Sequence, residues 1–218
     1  MKKLLSNKKI RYCLEKMQEL FPDAHGELVW DTPFHLLIAV ILSAQATDIS
    51  VNKATPNLFA AYPNPVSLAK APLEEIENFI RTIGLYRTKA KNLKKMATLL
   101  HESYGDEVPA SKEELIKLPG VGRKTANVVA GEAFGTPGIA VDTHVERVSK
   151  RLKFVPQKAS LLEVEEKLMA ALPENQWVKD HHTMIFFGRY HCTAKKPKCV
   201  QCPLLELCDF GQRYLKEK

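Results

Sequence analysis

The stretch that decides the fold is Leu118-Pro119-Gly120-Val121-Gly122-Arg123-Lys124-Thr125-Ala126. Apolar helical sequence precedes it, and a run rich in alanine and valine follows it as far as residue 134. Two glycines spaced two residues apart, with a proline before them, interrupt a helix. The pattern therefore predicts a helix, a tight turn and a second helix that begins at about Gly122.

This turn has the features of a phosphate-binding site. The first turn of a helix carries unpaired backbone N–H groups and the positive end of the helix dipole. Glycines leave room for a phosphate to approach those N–H groups closely. We therefore predict a sequence-independent grip on a nucleic-acid backbone. The predicted contact residues are Gly120, Val121, Gly122, Arg123 and Thr125.

Lys124 is unusual in this setting because it places a cation at the positive end of a helix dipole. That position disfavours the ammonium form relative to the free amine. A lysine held partly as the free amine is a nucleophile. The alternative is that Lys124 is one more phosphate contact on a basic loop.

Length and composition limit the class of protein. The chain has 218 residues, 45% of them hydrophobic, which predicts a globular protein with one large domain or two small ones. No apolar run is long enough to span a bilayer, and the basic N-terminus lacks the apolar core of a signal peptide. We therefore expect a cytoplasmic, nucleoid-associated protein without a membrane partner. The net charge of +7 favours a polyanionic partner.

Helical periodicity extends along most of the chain. Residues 10–21 place apolar side chains, Cys13 among them, at helical spacing, and we interpret Cys13 as a small buried hydrophobe. The segment from Phe34 to Ala46 is apolar nearly all round, which predicts a central buried helix. Further helices are predicted at about 50–61, 72–82, 87–103, 111–117 and 123–134. Because strand alternation is almost absent, the predicted fold class is all-α.

Two turns next to these helices, at 43–48 and 83–90, have features that bear on function or packing. The central helix ends in a polar cluster at 43–48, where Gln45 could reach into a gap in a duplex because an amide pairs with base edges. The alternative is a polar helix terminus at the surface. Residues 83–90 repeat the layout of 119–126, with Thr88 in the place of Lys124, which predicts a related packing turn without chemistry.

The segment after residue 134 predicts a domain boundary, since 135–138 contain two glycines and a proline. Thr143-x-x-Glu146 then fits a capping box for a helix running to about Leu152. If Thr143 caps that helix, the Asp142 carboxylate is freed and lies just outside the helix N-terminus. The alternative is that Asp142 is itself the cap.

Four cysteines close to the C-terminus follow the spacing C-x6-C-x2-C-x5-C, at Cys192, Cys199, Cys202 and Cys208. Four thiolates this close together can surround one soft metal centre. Zinc sites with four cysteines usually show two close pairs, and only one is present here, so we favour an iron–sulfur cluster. Zinc, disulfides and redox thiols are the alternatives, with disulfides disfavoured in a cytosolic chain.

The loop between the first two cysteines contains Lys195, Lys196 and Lys198. A loop fixed by a metal centre and presenting lysines is a suitable phosphate-binding surface. The alternative is that the lysines only offset the charge of an anionic cluster.

Taken together, these segments resemble the bacterial endonuclease III family of the helix–hairpin–helix DNA glycosylase superfamily. The likeness covers nearly the whole chain. The segments that carry it are ILSAQATD at 41–48, TIGLY at 82–86, LPGVGRKTANVV at 118–129, AVDTH at 140–144 and the cysteines of 192–208. The resemblance implies that Lys124 is the catalytic lysine, Asp142 the catalytic aspartate and Gln45 the residue that fills the hole left by an extruded base. It also implies that the four cysteines hold a [4Fe-4S] cluster.

The resemblance further implies an architecture and an activity. The expected architecture is a six-helix domain at 26–136 and a discontinuous helical domain at 1–25 plus 137–218 that holds the cluster, with DNA bound in the groove between them. The expected enzyme is a monomeric bifunctional glycosylase and lyase acting on double-stranded DNA with damaged bases or abasic sites. It removes oxidised pyrimidines through a Schiff base on Lys124 and cleaves the abasic site by β-elimination.

Two other functions compete with this one. A related class removes adenine opposite oxidised guanine, and it generally lacks the lysine found at position 124. A non-catalytic DNA-binding or redox-sensing iron–sulfur protein would explain the charge and the cysteines. It would leave Lys124 and Asp142 without a role.

Overall fold

The computed structural model describes residues 3–217, and within that range helices are the only regular secondary structure. The predicted all-α fold is confirmed. The α-helices are α1 Asn7–Leu20, α2 Pro33–Ser43, α3 Asp48–Ala61, α4 Pro65–Lys70, α5 Leu73–Phe79, α6 Tyr86–Ser103, α7 Lys112–Leu115, α8 Arg123–Phe134, α9 Thr143–Arg151, α10 Leu161–Ala171, α11 Trp177–Phe186 and α12 Asp209–Lys216. A π-helix at Phe187–His191 continues α11.

The described chain divides into two compact units. The continuous unit runs Glu27–Thr136 and holds α2 to α8. The discontinuous unit combines the stretch up to Gly26 with the stretch from Pro137 onward, and it holds α1 and α9 to α12. Each unit has its own cluster of buried apolar side chains.

The continuous unit is built around α2. Thr32 caps this helix by accepting a hydrogen bond from the His35 N–H, and Pro33 occupies its first position, where a proline costs no hydrogen bond. Every residue of 34–42 is buried, which confirms the predicted central helix. Helices α3, α6 and α8 pack around it. The helix ends at Ser43 rather than at 46, because Ala44 leaves the helical region with ψ 114°.

The helix that begins at Pro65 is not among those predicted from the sequence. Pro65 is the first residue of α4, and Asn64 caps that helix in a reciprocal capping box with Ser67. Leu68 of α4 is fully buried. The continuous unit contains the seven α-helices α2 to α8.

The predicted helix–turn–helix of residues 111–134 is present. The short α7 leads into a turn in which Leu118 and Val121 are buried and the Val121 N–H donates to the Leu118 carbonyl at 3.1 Å. Gly122 is the N-cap of α8, as the sequence predicts. This motif packs on α2 through α8, so the turn is held by the core of the unit.

The discontinuous unit joins the two ends of the described chain. Helix α1 packs on α10 and α11. The Asn7 amide donates to the Ala170 carbonyl at 3.1 Å, and the Arg11 guanidinium donates to the Ala171 carbonyl at 2.8 Å. Cys13 is fully buried, as predicted, and burial raises the pKa of its thiol to about 12. Among residues 3–217, no helix is both long and apolar enough to cross a membrane.

Asp180 provides a test of this unit's pH dependence. Its side chain is buried between α11 and α1, where the Gln18 amide donates to it at 2.6 Å, and burial raises its pKa to about 6, well above the usual range of a carboxyl group. A raised carboxyl pKa means that folding loses stability as pH rises through this interval. Asp180→Asn should therefore raise stability more at pH 8 than at pH 5, by about 1 kcal/mol.

The measurement is the thermal midpoint of both proteins at the two pH values, where about 1 kcal/mol corresponds to roughly 2–4 °C in a chain of this size. Asp23→Asn, which changes an exposed carboxylate of the same unit, is the matched control. An equal rise in the thermal midpoint of Asp180→Asn at pH 5 and pH 8 would show that titration of Asp180 does not affect the stability of this fold.

Candidate functional site

Lys124 lies in the first turn of α8 with its side chain exposed. The helix is fixed from behind by Ala126, Val129 and Ala130, all fully buried. In the part of the chain that the structure describes, no side chain caps this helix and no acidic residue occupies its first turn. The amine is therefore presented by a rigid element, at the positive end of a helix dipole that no carboxylate of that turn neutralises.

The two glycines of the turn serve different purposes. Gly120 has φ +84°, which favours glycine, and a β-carbon there would also lie tightly at 3.1 Å from the Asn92 β-carbon and 3.4 Å from Ile41. Gly122 has φ −98°, and a β-carbon there would meet no described atom within 4 Å. Open space at the start of α8 is what a phosphate needs.

The other predicted contact residues of this turn differ in exposure. Arg123 is exposed and Thr125 is half-buried. The Val121 side chain packs into the core of the continuous unit, so only its backbone is available to a ligand.

Gln45 occupies the turn that follows α2. Its side chain is exposed, and its backbone adopts the left-handed conformation with φ 56°. This conformation is uncommon for a residue other than glycine, and it persists where the surroundings enforce it. The structure thus presents an amide at a sharply bent surface turn.

Two residues near this turn, Leu85 and Lys89, are not among the site residues predicted from the sequence. Leu85 is 64% exposed and has φ 60°, and a β-carbon on the preceding Gly84 would lie 4.0 Å from the Gln45 carbonyl oxygen. Lys89 is only 6% exposed. Lys89 has a detectable signal, because it falls on the same helical stripe of α6 as the buried Leu93 and Met96.

Asp142 is the N-cap of α9, so the capping box on Thr143 is wrong. The Asp142 Oδ1 accepts hydrogen bonds from the N–H groups of His144 and Val145, both at 2.8 Å. With the cap at 142, Glu146 lies one residue too far along to close a capping box, and it pairs with Lys150 at 2.6 Å instead. The carboxylate is half-buried. Both capping bonds use one oxygen, which leaves Oδ2 for other contacts.

The start of α9 is held tightly by the π-helix. A β-carbon on Gly188 would lie 2.8 Å from the His144 β-carbon and 3.3 Å from its α-carbon, so only glycine fits. The Arg147 guanidinium donates to the Gly188 carbonyl at 2.7 Å. These contacts fix the backbone that supplies both N–H partners of Asp142.

The four predicted metal-binding cysteines line one cavity. Cys192, Cys199, Cys202 and Cys208 share it with Leu152, Phe187 and Phe210. Gly211 lies against two of the thiols, since a β-carbon there would contact the sulfurs of Cys199 and Cys208 at 3.6 Å and the Leu205 side chain at 3.1 Å. Four soft donors that line one mostly apolar cavity fit an iron–sulfur cluster.

Hydrogen bonds to sulfur support the same assignment. The Gly211 N–H donates to the Cys208 sulfur at 3.3 Å, and the Arg151 guanidinium donates to the Cys192 sulfur at 3.3 Å. Burial raises the pKa of the Cys202 thiol to about 11 and raises that of Cys208. Thiols buried in this way are neutral at pH 7 unless a metal centre takes the place of the proton.

The loop between the first two cysteines presents its three lysines. Lys195, Lys196 and Lys198 are exposed, while Pro197 between them is buried. The Lys198 N–H donates to the His191 carbonyl at 3.0 Å. Arg151 donates to the carbonyls of Thr193 and Ala194, at 2.8 and 2.9 Å. The backbone of the loop is thus fixed and its charged side chains face solvent.

Comparison with known proteins assigns the family. Residues 38–174 match the model of the HhH-GPD superfamily base excision DNA repair proteins, and residues 192–208 match the iron–sulfur binding domain of endonuclease III. The second match begins and ends at cysteines of the candidate metal site. With the family assignment, the cofactor of the protein is a [4Fe-4S] cluster.

Individual relatives agree along the whole chain. Endonuclease III of Bacillus subtilis is 55% identical over 96% of this chain and 96% of its own length. A non-covalent endonuclease III–DNA complex matches with a TM-score of 0.96 and 57% identity, covering 98% of this chain and 100% of that one. A trapped endonuclease III–DNA covalent intermediate matches with a TM-score of 0.95 and 57% identity, covering 97% and 100%. The chain therefore belongs to the endonuclease III family, within the HhH-GPD superfamily of base excision DNA repair proteins.

Proposed function

We propose that this protein removes oxidised pyrimidines from duplex DNA and cleaves the resulting abasic site through a covalent bond to Lys124. As a member of the endonuclease III family it is a DNA glycosylase and abasic-site lyase of base excision repair, with DNA as its partner. The proposal adds the lesion class and the reacting residues. The observation that carries it is the covalent DNA intermediate trapped with a 57% identical endonuclease III, since such a bond requires a nucleophile.

Lys124 supplies that nucleophile. Its amine attacks C1′ of the damaged nucleotide, and the base departs with the electron pair of the glycosidic bond. The sugar ring opens to a Schiff base, which makes the C2′ proton acidic. Transfer of that proton to water breaks the C3′–O bond and expels the 3′ phosphate, and hydrolysis of the Schiff base then frees Lys124. One amine thus accounts for both activities, because covalent catalysis divides a difficult reaction into easier steps.

Asp142 assists the departure of the base. Its carboxylate accepts a proton or stabilises the positive charge that develops on the sugar. The same carboxylate caps α9 through Oδ1. This double use ties the orientation of the catalytic group to the start of a helix.

Gln45 acts on the duplex rather than on the bond that breaks. A base inside a duplex is out of reach, and extruding it costs about a few kcal/mol. The exposed amide of Gln45 fills the vacated position and pairs with the edge of the remaining base. The exposed apolar side chain of Leu85, in the adjacent turn, is placed to support the same opening.

Phosphate contacts offset part of that cost, and the two glycines of the turn allow a test of them. Gly122→Ala should leave the fold intact, because its β-carbon meets open space, and it should weaken DNA binding by blocking the approach of a phosphate. Gly120→Ala should instead destabilise the protein by about 1–3 kcal/mol through its positive φ.

Thermal midpoints and binding to an undamaged duplex should separate these two variants. Unchanged affinity in a well-folded Gly122→Ala protein would mean that no phosphate approaches the start of α8.

The lysines of the 193–198 loop provide a second phosphate-binding surface. Changing Lys195, Lys196 and Lys198 together to alanine should weaken binding to every duplex sequence. It should also reduce the slope of log affinity against log salt by about 0.9 for each phosphate that the protein no longer neutralises. Equilibrium binding over a range of salt concentrations measures this slope. An unchanged slope would mean that these lysines are solvated and make no contact with phosphate.

Cys192, Cys199, Cys202 and Cys208 are the proposed ligands of the [4Fe-4S] cluster. When bound, the cluster holds the lysine loop in place and contributes no chemistry to base removal or strand cleavage. The ligands include the first and last residues of the matched iron–sulfur domain.

The proposed substrate range is tested by turnover on a set of duplexes. A duplex with thymine glycol should be cleaved to the β-elimination product by a monomeric enzyme. Duplexes that are undamaged, or that pair adenine with 8-oxoguanine, should remain intact. Faster removal of adenine from the mispaired duplex would favour the adenine-specific relatives and contradict the proposal.

A further inference from the structure

Lys89 is a buried cation that the proposed mechanism does not use. It lies in the first turn of α6 and is only 6% exposed. Its Nζ donates to the Leu42 carbonyl at 2.9 Å and to the Ala44 carbonyl at 2.6 Å. Burial lowers the pKa of this lysine. A buried ammonium group is retained only where hydrogen bonds compensate its lost hydration, so these two contacts define its role.

Both carbonyls belong to the turn that carries Gln45. Leu42 is in the last turn of α2, where carbonyl groups lack helical partners and the dipole is negative. Ala44 directly precedes Gln45, whose φ is 56°. A cation that binds the carbonyls of 42 and 44 therefore fixes the path of the backbone on the N-terminal side of Gln45.

The same lysine is anchored next to the other exposed turn. Lys89 lies four residues after Leu85, and the Lys89 N–H donates to the Leu85 carbonyl at 3.0 Å. The two turns are adjacent, because a β-carbon on Gly84 would lie 4.0 Å from the Gln45 carbonyl oxygen. Gln45 and Leu85 are both exposed and both have a left-handed backbone. Lys89 is bonded to both segments.

We propose that Lys89 is a positioning residue for base extrusion: by joining the end of α2 to the start of α6, it sets the spacing and orientation of Gln45 and Leu85. This inference rests on the proposed role of Gln45 in filling the vacated position. Lys89 does not touch the substrate. Its contribution is to hold two strained turns in the conformation that enters the duplex, so that binding energy is not spent on ordering them.

The test uses a duplex in which 2-aminopurine lies opposite a tetrahydrofuran abasic analogue. Insertion of Gln45 and Leu85 unstacks the neighbouring bases, so 2-aminopurine fluorescence rises when the holoenzyme binds. Lys89→Met keeps the length and apolar stem of the side chain but cannot donate to the two carbonyls. It should lose most of the fluorescence rise and reduce kcat for thymine glycol about tenfold or more. Its affinity for undamaged duplex should stay within twofold of wild type.

Lys94→Met is the matched control. Lys94 is also on α6 and donates to the Ala71 carbonyl at 2.7 Å, so this variant removes a bond of the same kind and the same charge. It should leave the fluorescence rise unchanged. Lys89→Arg retains charge and donors and should recover part of the rise. If Lys89→Met fails to fold, Lys89→Gln, which keeps an amide donor but loses the charge, replaces it and should give an intermediate signal.

Gln45→Ala separates this inference from the function on which it rests. Loss of the fluorescence rise in Gln45→Ala together with a normal rise in Lys89→Met would overturn the role of Lys89 alone. A normal rise in Gln45→Ala would overturn the gap-filling role and the inference with it. Equal losses in Lys89→Met and Lys94→Met would reduce Lys89 to a general contributor to stability.

Discussion

Lys124→Ala is expected to abolish the covalent adduct that borohydride traps between the enzyme and abasic DNA. Removal of the nucleophile should lower base removal and strand cleavage together, by on the order of 10⁴-fold or more. The fold should be unaffected, because Lys124 is exposed and alanine is the strongest helix former. Gel separation of the reduced adduct and single-turnover cleavage of a thymine glycol duplex measure the two effects.

Arg123→Ala controls for the loss of positive charge at the start of α8. It removes a neighbouring donor while leaving the amine in place, so it should weaken DNA binding yet still form the adduct at saturating protein. An adduct of wild-type yield in Lys124→Ala would assign the nucleophile to another amine. An adduct that both variants lose at low protein concentration and both recover at saturation would mean that Lys124 acts only in binding.

Asp142→Asn is expected to reduce base removal by about 10²–10⁴-fold while the protein stays folded. The reason is specific to this structure: the Asp142 Oδ1 caps α9, and an asparagine oxygen can accept the same two N–H bonds. The substitution therefore removes the negative charge and leaves the cap. Cleavage of a preformed abasic site should fall less, because the base has already departed and Lys124 is intact.

Asp142→Ala completes the comparison. It removes the cap as well as the charge, so it should additionally cost about 1 kcal/mol of stability, visible as a lower thermal midpoint. Wild-type turnover in Asp142→Asn would reduce Asp142 to a capping residue. A midpoint as low as that of Asp142→Ala would show that asparagine does not preserve the cap.

The parts of the fold that could be predicted from the sequence are those whose conformation depends on residues close together in the chain. Residues 34–42 are apolar except for His35, so they have no broad polar face to place in water, and all nine are buried. The glycines and proline of 119–122 interrupt a helix wherever they occur, and the turn is found there. The cysteine spacing indicated a shared cavity because ligands close in sequence need little additional folding to converge.

Features that depend on competition between neighbouring residues were harder to predict from the sequence. Asp142 and Thr143 are both good caps, and the extended backbone at Asp142, with φ −104° and ψ −175°, decided between them. Pro65 can end one segment or begin another, and the side chain of Asn64 selected the second by capping α4. In both cases one backbone conformation settles a choice that the sequence leaves open.

Features that depend on long-range approach could not be read from the sequence. Gly188 is required because the π-helix passes so close to His144, 44 residues away in sequence, that an added β-carbon would lie 2.8 Å from its side chain, and neither segment shows this alone. The partners of Lys89 lie 47 and 45 residues earlier. The helical stripe could have indicated that Lys89 is buried, but not which carbonyls it binds.

The way α1 is tied to the C-terminal half has a consequence for how the protein is made. The bonds from Asn7 and Arg11 reach residues 163 and 160 positions later. At about 5–20 residues per second on the ribosome, the apolar face of α1 waits roughly 8–30 seconds for α10 and α11 to be synthesised. The continuous unit can complete its core in that interval. Helix α1 is thus synthesised early but is among the last to reach its packing partners, and the four cysteines of 192–208 emerge later still.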